Sequence, residues 1–149
     1  MGITVKVKRN RIPLLDIRVR GNSEKVTRNA AALTYSLAVA FAPIDTGALK
    51  ASGQIIQEGL AKYVVRFGGT GGGGRVDYAE YIEFGTGLYG PQRKVIVPKN
   101  GKYLVFEING KKIFATSIKG SKPQPFVGPA LAIVSPRFRD ECRRSVVKY

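Results

Sequence analysis

The chain has no histidine, no tryptophan, one cysteine and one methionine, and only 10 Asp and Glu against 25 Lys and Arg. Each shortage excludes something. Without histidine there is no imidazole metal site and no triad in which His activates a nucleophile. The lone Cys142 rules out an internal disulfide and a cysteine-based zinc site, and is read as a small buried apolar residue. No apolar run reaches about 18 residues, so no membrane span is expected. Met1 to Lys6 lacks the apolar core and cleavage site of a signal peptide, so the chain is expected to be cytosolic when made. The shortage of acids leaves a net charge of +15, and such a surface seeks an acidic counterpart: DNA, an acidic protein neighbour or an anionic membrane surface. Residues 1–20 carry six basic groups and one acid, and Arg93 to Lys122 carry eight against Glu107. Charge dispersed in this way suggests a face or a ring lining more than a disordered nucleic-acid tail.

At 149 residues the chain fits one domain with an ordinary core. Ile3, Val5 and Val7, and then Leu15, Ile17 and Val19, alternate with polar or charged residues. The period of two predicts a basic, strand-forming arm over 1–20, paired within its own domain or added to a neighbour's sheet. Asn22 or Ser23 then caps a long helix that stops at Pro43, with Val26, Ala30, Leu33, Leu37 and Ala40 or Phe41 at helical spacing. Its wide alanine surface permits another element to approach closely. Asp45-Thr46-Gly47 reads as a tight turn whose Asp or Thr side chain caps the backbone that follows.

Ser52 to Glu58 and Lys62 to Phe67 read as a hairpin around Gly59. The run Gly68 to Gly74 lacks the G-x-x-x-x-G-K-[ST] phosphate signature and is read as a linker or mobile lobe. Asp77 and Glu80 fit a capping box for a short helix over Tyr78–Phe84, in which Tyr78, Tyr81 and Ile82 share a face and Gly85 supplies a left-handed stop. Leu88 to Gly101, with Pro91 and Pro98, reads as an extended excursion. Asn109-Gly110 between Tyr103–Ile108 and Lys111–Ile118 is a type I′ hairpin turn. Pro129 suits the first turn of a closing helix, with Leu131, Val134, Phe138 and Cys142 on one face and Pro136 as a break that Ser135 could cap. The fold class expected is α+β: a small, mostly antiparallel sheet with one long helix packed on it, and a kinked or broken C-terminal helix.

Catalytic chemistry finds little to work with. The acids Asp77, Glu80 and Glu83 cluster, but no nucleophile, metal partner or cofactor motif accompanies them, and Ser52 and Ser135 have no histidine to activate them. No catalytic, cofactor or metal residue is assigned, and Glu83 is read as the ion-pair partner of an arginine.

Three islands remain in order: A-P-x-D-T-G-x-L-x-x-S from Ala42 to Ser52, Y-A-x-x-x-E-F-G-T from Tyr78 to Thr86, and P-Q-P-F-x-x-P-A-L from Pro123 to Leu131. The ordered triple resembles the small neck or tail-completion proteins of long-tailed bacteriophages, over about residues 22–135. That resemblance implies a structural virion protein, not an enzyme, made in the host cytoplasm. It implies a homo-oligomeric ring, a hexamer, that completes the tail and joins it to the head around the DNA channel. Implied partners are further copies of the chain, the head-completion or connector and tail proteins, and packaged DNA bound without sequence preference, but no membrane. The residues carried over as structural or interface positions are Asp45, Thr46, Gly47, Tyr78, Glu83, Phe84, Gly85, Thr86, Pro125, Phe126 and Pro129. Phe126 is expected to anchor the approach to the last helix onto the core. From charge alone, Lys6, Lys8, Arg9 and Arg11 in the arm, and Arg93, Lys94, Lys111 and Lys112 further on, are candidate contacts for DNA or an acidic partner. A small, basic, sequence-independent nucleic-acid-binding module is the other reading of the same charge.

Overall fold

In the computed structural model, residues 12–45, 47–71 and 74–147 are described. Helix α1 runs from Ile12 to Phe41, α2 from Ala48 to Ala51, α3 from Ala79 to Phe84 and α4 from Val127 to Val147. Three antiparallel hairpins intervene: β1 (Gln54–Gly59) with β2 (Lys62–Arg66), β3 (Gly69–Gly71) with β4 (Gly74–Val76), and β5 (Leu104–Ile108) with β6 (Lys111–Ala115). The fold is α+β. Its strands form separate two-stranded pairs instead of the one sheet expected.

Helix α1 begins about ten residues before the cap expected at Asn22 or Ser23, so residues 15–20 are helical and not a strand. Residues 1–11, and with them the first half of the expected arm, lie outside the described residues. The alternation at 15–19 is compatible with both periods, because Ile12, Leu15 and Val19 also stand at i, i+3 and i+7. A helix already nucleated over 22–41 gains one hydrogen bond per added residue, whereas an isolated strand gains none. Pro13, in the first turn, costs that extension little. The 30 residues give a rod of about 45 Å.

The buried stripe of α1 is Ala31, Thr34 and Ala38, continued by Ala42 just past its end, and is rotated from the row Val26, Ala30, Leu33, Leu37 and Ala40 or Phe41. Phe41 is exposed. The reason is the partner: α4 lies against α1 through Ala130 and Val134, and small residues allow the two backbones to close. Thr34 satisfies its buried hydroxyl by donating to the Ala30 carbonyl at 2.8 Å. On α4 the buried positions are Ala130 and Val134, while Leu131 is exposed and Cys142 only half-buried. Pro136 does not break α4, which continues through it, and the Ser135 hydroxyl donates back to Leu131 instead of capping a second segment.

Hairpin β1–β2 lies beside α1, its Tyr63 and Val65 facing the groove between α1 and α4. The glycine run holds a second, very short antiparallel pair, Gly69 with Val76 and Gly71 with Gly74, where a linker or mobile lobe was expected. Its entry is fixed by Ser52, whose buried hydroxyl donates to the Leu49 carbonyl at 2.7 Å and accepts from the Gly68 amide at 3.0 Å. One core cluster holds Ala38, Ala42, Leu49, Val76, Phe126 and Ala130. Beside it, Tyr35 stacks on Phe67 with ring centroids 5.9 Å apart, and Phe67 meets the edge of Phe126 at 5.2 Å.

Candidate functional site

The three sequence islands converge on this cluster. Leu49 comes from the first, Ala79 and Ile82 from the second, and Phe126, Val127 and Ala130 from the third. Phe126 is 1% exposed and sits at the centre of the cluster, whereas Pro125 beside it is exposed. Pro129 occupies the first turn of α4.

Glu83 joins the second and third islands. Its Oε2 accepts from the amides of Phe126 at 2.8 Å and Val127 at 3.0 Å, and its Oε1 from Gly128 at 2.8 Å. A helix start leaves its first amides without partners, and an anion there also meets the positive end of the helix dipole. The carboxylate of α3 therefore caps α4 from 43 to 45 residues away, in place of the arginine ion pair expected of it. A signal for this was present: no Ser, Thr, Asp or Asn stands at Pro123 to Phe126, so the amides of α4 need an acceptor from elsewhere.

The turn after α3 is clamped to the strand-like stretch before α4. Gln124 donates to the Ile82 carbonyl at 2.8 Å, Thr86 to Ser121 at 2.9 Å, and Leu88 to Lys119 at 2.8 Å. The Ser121 amide returns a bond to Thr86 Oγ1 at 2.9 Å. Gly85 closes α3 with φ 75° and ψ 177°, an extended glycine conformation and not the left-handed stop expected. A Cβ there would lie 2.8 Å from the Ser121 carbonyl oxygen, so the close crossing of chains requires glycine.

Several local expectations shift. The N-cap of α3 is Tyr78, not the Asp77 that the capping box required, and the Tyr78 side chain makes no cap bond. The inward face of α3 is Ala79 and Ile82, leaving Tyr78, Tyr81 and Phe84 exposed at 38%, 58% and 56%. Gly47 caps α2 in the left-handed conformation with no side-chain bond, and Asp45 is exposed. Thr46 lies outside the described residues, as do Lys6, Lys8, Arg9 and Arg11.

The other surface is an arm. The chain leaves the clamp after a 3-10 turn at Gly87–Tyr89, and Ile96 and Ile118 exchange two backbone bonds of 2.9 Å at the arm's base. Beyond them stands β5–β6, closed by Asn109 and Gly110 at φ 51° and 76°, as the type I′ turn requires. Among the described residues it has no extensive contact with any other helix or strand. Its exposed residues include Tyr103 (56%), Val105 (58%), Ile108 (51%) and Phe114 (64%). Arg93, Lys94, Lys111 and Lys112 lie exposed along the same arm, Arg93 with φ 50°. This concentration of exposed apolar groups was not foreseen, because period-two alternation does not say whether either face of a hairpin finds a cover.

Among the described residues, no three His, Cys, Asp or Glu gather as a metal-holding group, and no helix is long and apolar enough to cross a membrane. No family model, no curated protein and no solved structure was found to match the chain.

Proposed function

We propose that this chain is a structural subunit of a phage or phage-like neck or tail, one copy in a ring that completes the tail and joins it to the head around the DNA channel. The observation that carries the reading is the arm: a hairpin that pairs with no third strand among the described residues and exposes apolar side chains. An isolated hairpin of this kind is marginal in water and gains stability from a partner surface. The three islands support the same reading, since they resemble the neck and tail-completion proteins and meet in one junction that roots the arm. The lysines along the arm suit phosphate contacts without base readout, which is what a ring around packaged DNA needs.

A sequence-independent nucleic-acid-binding module is the second reading, favoured by the net charge of +15. Size-exclusion chromatography with light scattering, with and without duplex DNA, separates the two. The ring reading expects closed multiples of the 16.2 kDa chain and weak, salt-sensitive DNA binding. A stable monomer that binds DNA tightly would favour the module.

A further inference from the structure

We infer that the β5–β6 hairpin of one copy docks onto the cleft between residues 43–45 and α3 of a second copy, giving a head-to-tail contact. This rests on the ring reading and names its interface. The cleft has a volume of about 360 Å³ and is lined by Pro43, Ile44, Leu49, Tyr78 and Ile82, with Asp45 among the lining residues. Ile44 is 76% exposed, and Tyr81 and Phe84 extend the apolar surface along α3.

Charge selects the occupant. Residues 41–49 and 76–92 contain Asp45, Asp77, Glu80 and Glu83 and no Lys or Arg, in a chain whose net charge is +15. Glu83 is committed to α4, Asp45 lines the cleft, and the exposed Glu80 stands two residues from both Tyr78 and Ile82 in its wall. Residues 93–122 carry eight basic groups against Glu107. The hairpin itself carries Lys111 and Lys112 against Glu107, so it offers an apolar finger with a basic tip, and the cleft offers an apolar seat with Asp45 in its lining. Lys111 and Lys112 at the tip of one copy meet Asp45 and Glu80 at the cleft of another, whereas two tips or two clefts would bring like charges together.

The chain from its root at Lys119 to Lys111 at the tip spans at most about 30 Å when extended. On one face of the hairpin the cross-strand pair Val105 and Phe114 lies next to Glu107 and Lys112, so apolar contact and charge arrive together. Each copy carries one finger and one seat. The contact is therefore heterologous, and it repeats from copy to copy until rotation closes it into a ring.

Two variants test this, both altered only at exposed positions. The finger variant combines K111E, K112E and F114T, and the cleft variant combines I44S and E80K, with circular dichroism confirming that each stays folded. Light scattering of the wild type should give a multimer, and each variant alone should run as a monomer of about 16.2 kDa. A one-to-one mixture should give a pair and stop there, because one intact finger then meets one intact seat. A mixture that stays monomeric overturns the head-to-tail contact, as does either variant that assembles like the wild type. A wild type that remains monomeric at every concentration, with DNA and without, overturns the ring reading itself.

Discussion

Replacing Glu83 with alanine removes the acceptor for three amides at the start of α4. Loss of an ordinary helix cap costs about 0.5–2 kcal/mol, and hydrogen bonds to a charged group lie above the neutral average. The Gly128 amide is exposed and recovers water, whereas those of Phe126 and Val127 are half-covered and recover less. The expected loss is therefore near the top of the cap range, about 2 kcal/mol. In a chain of this length each kcal/mol shifts the melting temperature by about 2–4 °C, so Tm should fall by roughly 4–8 °C. Glu83→Gln keeps one acceptor oxygen and loses the charge, and should fall between wild type and Glu83→Ala. Differential scanning calorimetry reads both. An unchanged Tm in Glu83→Ala would refute the cap, and equal losses in the two variants would refute the part assigned to the remaining oxygen.

Truncating Phe126 to alanine empties the centre of the core and should cost about 3–5 kcal/mol, read by urea unfolding; a midpoint unchanged from wild type would deny its burial. Ser52→Ala leaves the Gly68 amide without its acceptor, so about 1–3 kcal/mol should be lost in the same assay. Gly120, at φ 87°, crosses the Thr86 backbone so closely that a Cβ would overlap it, and Gly120→Ala should cost at least about 1–3 kcal/mol from the backbone conformation alone. Hydrogen exchange of the free chain should be fast over residues 91–103 and slow in the middle of α1; uniform protection of both would contradict the exposed placement of the arm.

Much of the fold was legible because it is written locally. The Asn109-Gly110 turn, the β1–β2 pair and the end of α1 before Pro43 each depend on a few neighbouring residues. What was not legible depends on contacts between distant parts. The start of α1 at Ile12 reflects helix extension prevailing over an alternating pattern that fits both periods. Its buried face is set by where α4 lies, so Ala31 and Ala38 are covered while the larger Phe41 is not. Glu83 was read as an arginine's ion-pair partner because its actual partners are amides more than 40 residues away. Phe126 was visible as an anchor, being the one large apolar group between Pro125 and Pro129. The exposure of Val105 and Phe114 was hidden, since the sequence of a hairpin is the same whether it is covered or awaits a partner.

A role in joining head to tail is tested most directly by removing this chain from a genome that produces particles and imaging the lysate by electron microscopy. The account predicts heads and tails in normal numbers but unjoined, or heads that have lost their DNA, with joining restored when the chain is supplied from a plasmid. Intact, DNA-filled, joined particles in its absence would contradict it.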